Sequence, residues 1–201
     1  MMLNFLTYKK PTIDEIDDYK KKITPKVIAL LDLVDGIKGK YETFNEGSKK
    51  EYKSFIETEI GAGIWYINKV KKILWSGKIS EKALYEIKHN PNVKLCEEHF
   101  NPRKVSAVEV LSTEWSSFEN PQEEFINRFL SKYGKFHYVT KNENKIVAKF
   151  QKIEDFISPE DSYQKAGIKL IDWMLHGNKV MEQNDEKKPE ESFKDIAEKM
   201  L

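Results

Sequence analysis

The chain has a single cysteine, Cys96, so it can close no internal disulfide and has no cysteine cluster for a zinc knuckle. It lacks any apolar run near the roughly 20 residues of a membrane-spanning helix, and MMLNFLTYKK is too short and too early in charge for a secretion signal. No glycine-rich phosphate loop and no internal repeat is present, which sets aside P-loop nucleotide hydrolases and repeat scaffolds. Nor is there a charge excess: 34 basic residues against 33 acidic ones give a formal net charge of +1. Any attraction to nucleic acid must therefore be local. A cytoplasmic chain is the expectation from these absences.

What is present reads as a folded protein. Hydrophobic residues at 39% and aromatics at 12% argue against disorder, while 33% charged residues supply a well-solvated surface. A chain of 201 residues is long enough to bury a substantial core.

Periodicity predicts helix through much of the chain. Ile16, Tyr19, Ile23, Val27, Leu30, Leu31 and Val34 fall at helical spacing, with Pro25 suggesting that Thr24 caps a fresh helix. Further helices are expected at 50–60 and 63–75, and another from Ser80, a good N-cap before EKALYEI. The stretch 93–100 reads as a strand running into a loop at Asn101-Pro102. Helices are expected at 106–112 and 121–133, then a strand at 135–140 that alternates Phe136 and Tyr138 against His137 and Val139. Thr140 and Glu143 form a capping-box pattern for a helix over 141–152. A last amphipathic helix is expected at 162–175, followed by a polar linker at 183–191 and a short terminal helix.

The chemistry concentrates in EEHFNPRK (97–104) and in TKNEN (140–144). Cleaving a phosphodiester takes a base to activate water, a divalent cation to neutralise developing charge, and groups that hold the phosphate. His99 can be the base, since an ordinary imidazole titrates near neutrality. Glu98 and Asn144 are hard oxygen donors suited to magnesium or manganese. Asn144 also sits in the first turn of a capped helix, whose dipole favours a phosphate. His137 can orient His99 or join the metal shell, and Arg103 can grip a phosphate with two donors.

These two segments resemble the HNH, or ββα-metal, nucleases of restriction enzymes, homing enzymes and phage proteins. The resemblance implies that His99 is the general base, Glu98 the acidic ligand and Asn144 the helix ligand, with His137 where the family usually has an orienting asparagine. The acidic position is glutamate where the family often has aspartate, the paired zinc cysteines are absent, and the gap from His99 to Asn144 is long enough to hold an inserted helical segment at 106–133. Residues 1–90 lie outside the resemblance.

Other candidates have plainer readings. His89, beside Asn90-Pro91, reads as a turn residue, His176 as a helix C-terminal residue, and Cys96 as a buried strand residue. The lysine runs 20–22, 49–53 and 69–72, interleaved with Trp65, Tyr66 and Trp75, offer a DNA-binding face or simply a solvated one.

The expected fold is α+β and predominantly helical, with a small ββα-metal motif among helices. It divides into a helical region at 1–90 that can carry DNA recognition, a nuclease core at 91–153 and C-terminal helices at 154–201. The expected activity is a metal-dependent endonuclease on double-stranded DNA using Mg2+ or Mn2+, in the form of a type II restriction enzyme. A homodimer would match a palindromic target. The alternatives are a non-enzymatic helical interaction protein and an RNA-directed nuclease.

Overall fold

The structure, a computed structural model, describes residues 9–43, 49–67, 69–90, 92–153 and 156–173. His176, the 183–191 linker and the terminal helix lie outside them.

The fold is α+β and predominantly helical. Helix α1 (Ile13–Tyr41) opens with a reciprocal capping box, Thr12 Oγ1 accepting from Glu15 N–H and Glu15 Oε2 from Thr12 N–H. It runs unbroken through Pro25, so no fresh helix starts there. The reason is packing: Tyr19 and Ile23 before the proline and Val27, Leu30 and Leu31 after it form one buried stripe in phase. Burying that stripe outweighs the roughly 3 kcal/mol an interior proline costs. Thr24, instead of capping, donates its hydroxyl back to Lys20 O at 2.8 Å.

Helix α2 (Lys49–Trp65) merges one expected helix with the start of the next. The short helix α3 (Lys71–Leu74) then gives way to strand β1 (Trp75–Ser80), between the helix expected up to residue 75 and the next one expected from Ser80. Gly77, at φ +79°, permits a backbone that an L side chain would resist. Helix α4 (Glu81–His89) starts as expected, with Ser80 Oγ accepting from Ala83 N–H at 3.0 Å. Strand β2 (Cys96–His99) leads to α5 (Arg103–Ser112), and α6 (Pro121–Arg128) continues into a π-turn over Phe129–Tyr133. Strand β3 (Phe136–Val139) feeds α7 (Lys141–Val147), whose capping box joins Thr140 to Glu143.

The expected 162–175 helix is replaced by α8 (Pro159–Lys165) and strand β4 (Leu170–Asp172). Gly167, at φ +66°, lies where the chain leaves α8. Antiparallel pairing with β1 makes 170–172 a strand, and that partner lies about ninety residues earlier, beyond the reach of local periodicity.

The sheet order is β2-β3-β1-β4, with β1 and β3 parallel and the other two pairs antiparallel. It draws strands from all three sequence segments, 1–90, 91–153 and 154–201. One face packs on a large core containing Trp65, Trp75, Phe136 and Tyr138 with residues of α1, α2, α5 and α6. The other carries a small cluster, Val147, Tyr163 and Ile168, contributed by α7, α8 and the chain that follows. Strand β2 is an edge strand, so groups on both of its faces can reach the same opening.

Candidate active site

Strands β2 and β3 pair antiparallel, with Glu98 opposite His137 and His99 opposite Phe136. Directly opposed residues share a face, and neighbours along a strand take opposite ones. Glu98 and His137 therefore lie on the side of α7 and α8, and His99 on the side of the helical core. Helix α7 follows β3 directly, so β2, β3 and α7 make a ββα unit with α5 and α6 inserted between its strands.

A cleft of about 720 Å3 opens at the free edge of β2. Glu98, His99, Arg103 and Asn144 all line it, with Lys69, Lys104, Gln151 and Lys152. Thus the segments EEHFNPRK and TKNEN, far apart in sequence, meet at one opening. His137 is not on its wall; it stands behind Glu98 in the sheet.

His99 is half-buried and its ring centroid lies 3.8 Å from that of Trp65. Burial, with the positive charges of Arg103 and Lys69 nearby, lowers its pKa to about 3, so the imidazole is neutral at physiological pH. Its Nε2 is buried without a hydrogen-bond partner. Unpaired buried polar atoms are costly, and on the wall of a cleft they are donors or acceptors awaiting a ligand.

Glu98 is 3% exposed and accepts a hydrogen bond of 2.9 Å from the Tyr163 hydroxyl. Burial pushes its pKa up to about 7, against the opposing pull of Gln151 and Tyr163. His137 shares a 2.5 Å hydrogen bond through Nδ1 with Ser76 Oγ, and burial, reinforced by Lys78 and Lys135, lowers it to about 3. Its expected contact with His99 does not form across the sheet; its neighbours are Ser76, Phe100 and Tyr163. His137 is thus a buried strand residue that helps to build the wall behind Glu98.

Glu97 faces the helical side, where Lys69 and Lys71 both pair with it. Burial pushes this carboxyl up, but the two ammonium groups outweigh it and hold the group below its usual range. Lys69 also sits over the Trp65 ring, 4.3 Å from its centroid. Of the three aromatics interleaved with the lysine runs, Trp65 and Trp75 are core residues and Tyr66 alone is exposed. Cys96 is half-buried on the cleft wall, and burial pushes its thiol up. His89 closes α4, its Nδ1 2.8 Å from Tyr85 O.

For a cation, the wall offers Glu98 and Asn144 as oxygen donors. Among the described residues no group of three or more His, Cys, Asp or Glu side chains could hold an ion. Two oxygen donors do not make a tetrahedral zinc site of N and S ligands, and an ion held by them would keep most of its shell as water. Sequence reasoning missed Tyr163, Ser76 and Gln151; Tyr163 is 65 positions from the carboxylate it bonds, and no local pattern links the two.

No family model matches the chain, and neither a curated protein nor a solved structure does. Among the described residues no helix is long and apolar enough to cross a membrane.

Proposed function

We propose that the protein is a metal-dependent endonuclease that hydrolyses phosphodiester bonds of DNA in the β2-edge cleft. The observation that carries this reading is the convergence of His99, Glu98, Arg103 and Asn144 on one opening through a β2-β3-α7 unit. His99 Nε2, neutral and unpaired, accepts the proton of the attacking water. Arg103 holds the phosphate, with Lys104 and Lys152 nearby on the wall. Glu98 and Asn144 are the residues that would hold a magnesium or manganese ion, Glu98 releasing its proton to do so. When bound, such an ion neutralises charge on the phosphate and on the leaving oxygen.

One observation favours the rival, a non-enzymatic interaction protein: a base held at about 3 is weak compared with one poised near neutrality. Plasmid DNA incubated with purified wild-type and His99→Ala protein, with magnesium or manganese and with a chelator control, separates the two. Cleavage by the wild type that stops with chelator and falls by about a hundredfold or more in His99→Ala is the expected result. No cleavage by the wild type, on duplex and single-stranded DNA of varied sequence and modification, would favour the rival. Equal cleavage by both proteins would remove His99 from the role of base.

A further inference from the structure

Tyr66 stands at the mouth of the cleft, on its lining and 68% exposed. Its backbone N–H bonds Ala62 O at 2.9 Å as the last turn of α2 closes. Its neighbours Trp65 and Ile67 are both buried, so the chain is anchored on either side of the exposed ring. An aromatic ring left in solvent at a pinned position gives up burial that it could have had elsewhere.

The surroundings specify the ligand's charge. The wall carries four cations, Lys69, Arg103, Lys104 and Lys152, against two carboxylates, Glu97 and Glu98. Of the carboxylates, Glu97 is already held by Lys69 and Lys71, and Glu98, bonded by the Tyr163 hydroxyl, is the proposed cation ligand, so neither is left to repel a polyanion. A polyanion is thus favoured over an acidic or basic patch of mixed sign. An exposed π-face beside phosphate-binding cations is the arrangement by which proteins hold unpaired strands, because every base can stack on a ring and every phosphate can meet a cation. In a closed duplex the base faces are already stacked on each other and cannot reach a ring.

Phe55, 64% exposed on α2, stands eleven positions before Tyr66, which follows the last residue of that helix. Lys104, on the cleft wall, donates to Ser54 Oγ at 2.7 Å and ties the cleft to the Phe55 end of α2.

We infer that the cleft receives an unpaired polynucleotide strand in preference to a closed duplex, with a base stacked on Tyr66 and its flanking phosphates held by Arg103, Lys104 and Lys152. This rests on the reading of the cleft as a nucleic-acid site, and it replaces the duplex expected from sequence with one of its strands.

Fluorescence anisotropy tests this on the full chain, with labelled single-stranded DNA, single-stranded RNA and a blunt DNA duplex of equal length. Chelator is present in one series and calcium in another, so that binding is read without cleavage. A single strand of either sugar should bind about tenfold or more tightly than the duplex. Tyr66→Ala should weaken single-strand binding by about tenfold and leave duplex binding unchanged, while Tyr66→Trp should retain it. Duplex binding as tight as single-strand binding, or no effect of Tyr66→Ala, would overturn the inference. If that duplex binding were lost in Arg103→Ala, the nuclease reading would survive on its own. Failure of every oligonucleotide to bind in both series would overturn both readings.

Discussion

The two faces of the β2-β3 pair meet the same problem, a titratable side chain in a dry place, with opposite solutions. On the α7-α8 face, Glu98 and His137 are each given a partner, the Tyr163 hydroxyl and Ser76 Oγ. On the helical face, His99 is covered by Trp65 while its Nε2 is left without one. Satisfied buried polar groups make rigid walls, whereas an unsatisfied one on a cleft retains an unmet interaction for a ligand. The difference separates a face whose titratable groups are paired within the fold from one that leaves such a group unpaired at the cleft, although adjacent residues of one four-residue strand supply both.

Removing the cover of the helical face should have the largest effect. Trp65→Ala deletes a ring 6% exposed that packs on His99 and Phe136, and should cost about 3–5 kcal/mol in urea unfolding. A loss below about 1 kcal/mol would mean that the helical face does not depend on this ring.

The pH dependence of stability sharpens the contrast next. The folded pKa of Glu98 is raised from 4.5 to about 7, so the folded state holds a proton that the unfolded chain releases. Stability contributed by the protonated carboxyl is therefore full below about 4.5 and is lost as pH rises through about 7. His99 and His137 work the other way: lowered from 6.5 to about 3, they add stability as pH rises across that interval. In metal-free buffer, Glu98→Gln should gain on the wild type between pH 4 and pH 8 by an amount on the order of 3 kcal/mol, read from unfolding midpoints at several pH values. A gap between the two proteins that does not change with pH would show that Glu98 titrates normally.

A smaller effect is expected where α2 meets α5. A Cβ on Gly61 would lie 2.7 Å from Arg103 O, a backbone atom that cannot swing aside. Gly61→Ala should cost about 1–3 kcal/mol and, by shifting the start of α5, weaken any phosphate contact of Arg103. An alanine variant as stable as the wild type, with unchanged oligonucleotide affinity, would show that this approach is not needed. The smallest change should come from Tyr163→Phe, at about 1 kcal/mol, together with a further rise in the Glu98 pKa measured by carboxyl NMR titration. A fall in that pKa would contradict the satisfied-wall account of this face.

Features confined to a few consecutive residues are legible in the sequence. The Ser80 cap, the Pro121 start and the Thr140-Glu143 box each form where the residues predict them. Strand β3 and the short strand before Asn101 are equally readable, as is the gathering of Glu98, His99, Arg103 and Asn144 in one place. Strands β1 and β4 are not, because WSGKIS and LID have no strong strand pattern and become strands by pairing with each other and with β3. The continuity of α1 through Pro25 escapes local reading for a related reason, since the force that carries it is burial against three other helices.

The caps, the helical stripes and the residue types at the cleft are properties of the chain alone, because they follow from hydrogen bonds and periodicities within a turn or two. Folding was needed to set Glu98 and His99 on opposite sides of a sheet edge, to bury Trp65 while leaving Tyr66 exposed, and to assign His137 to the wall. Burial and cross-strand partners depend on segments tens of residues away, and it is burial that sets the charge state of Glu98, His99 and His137.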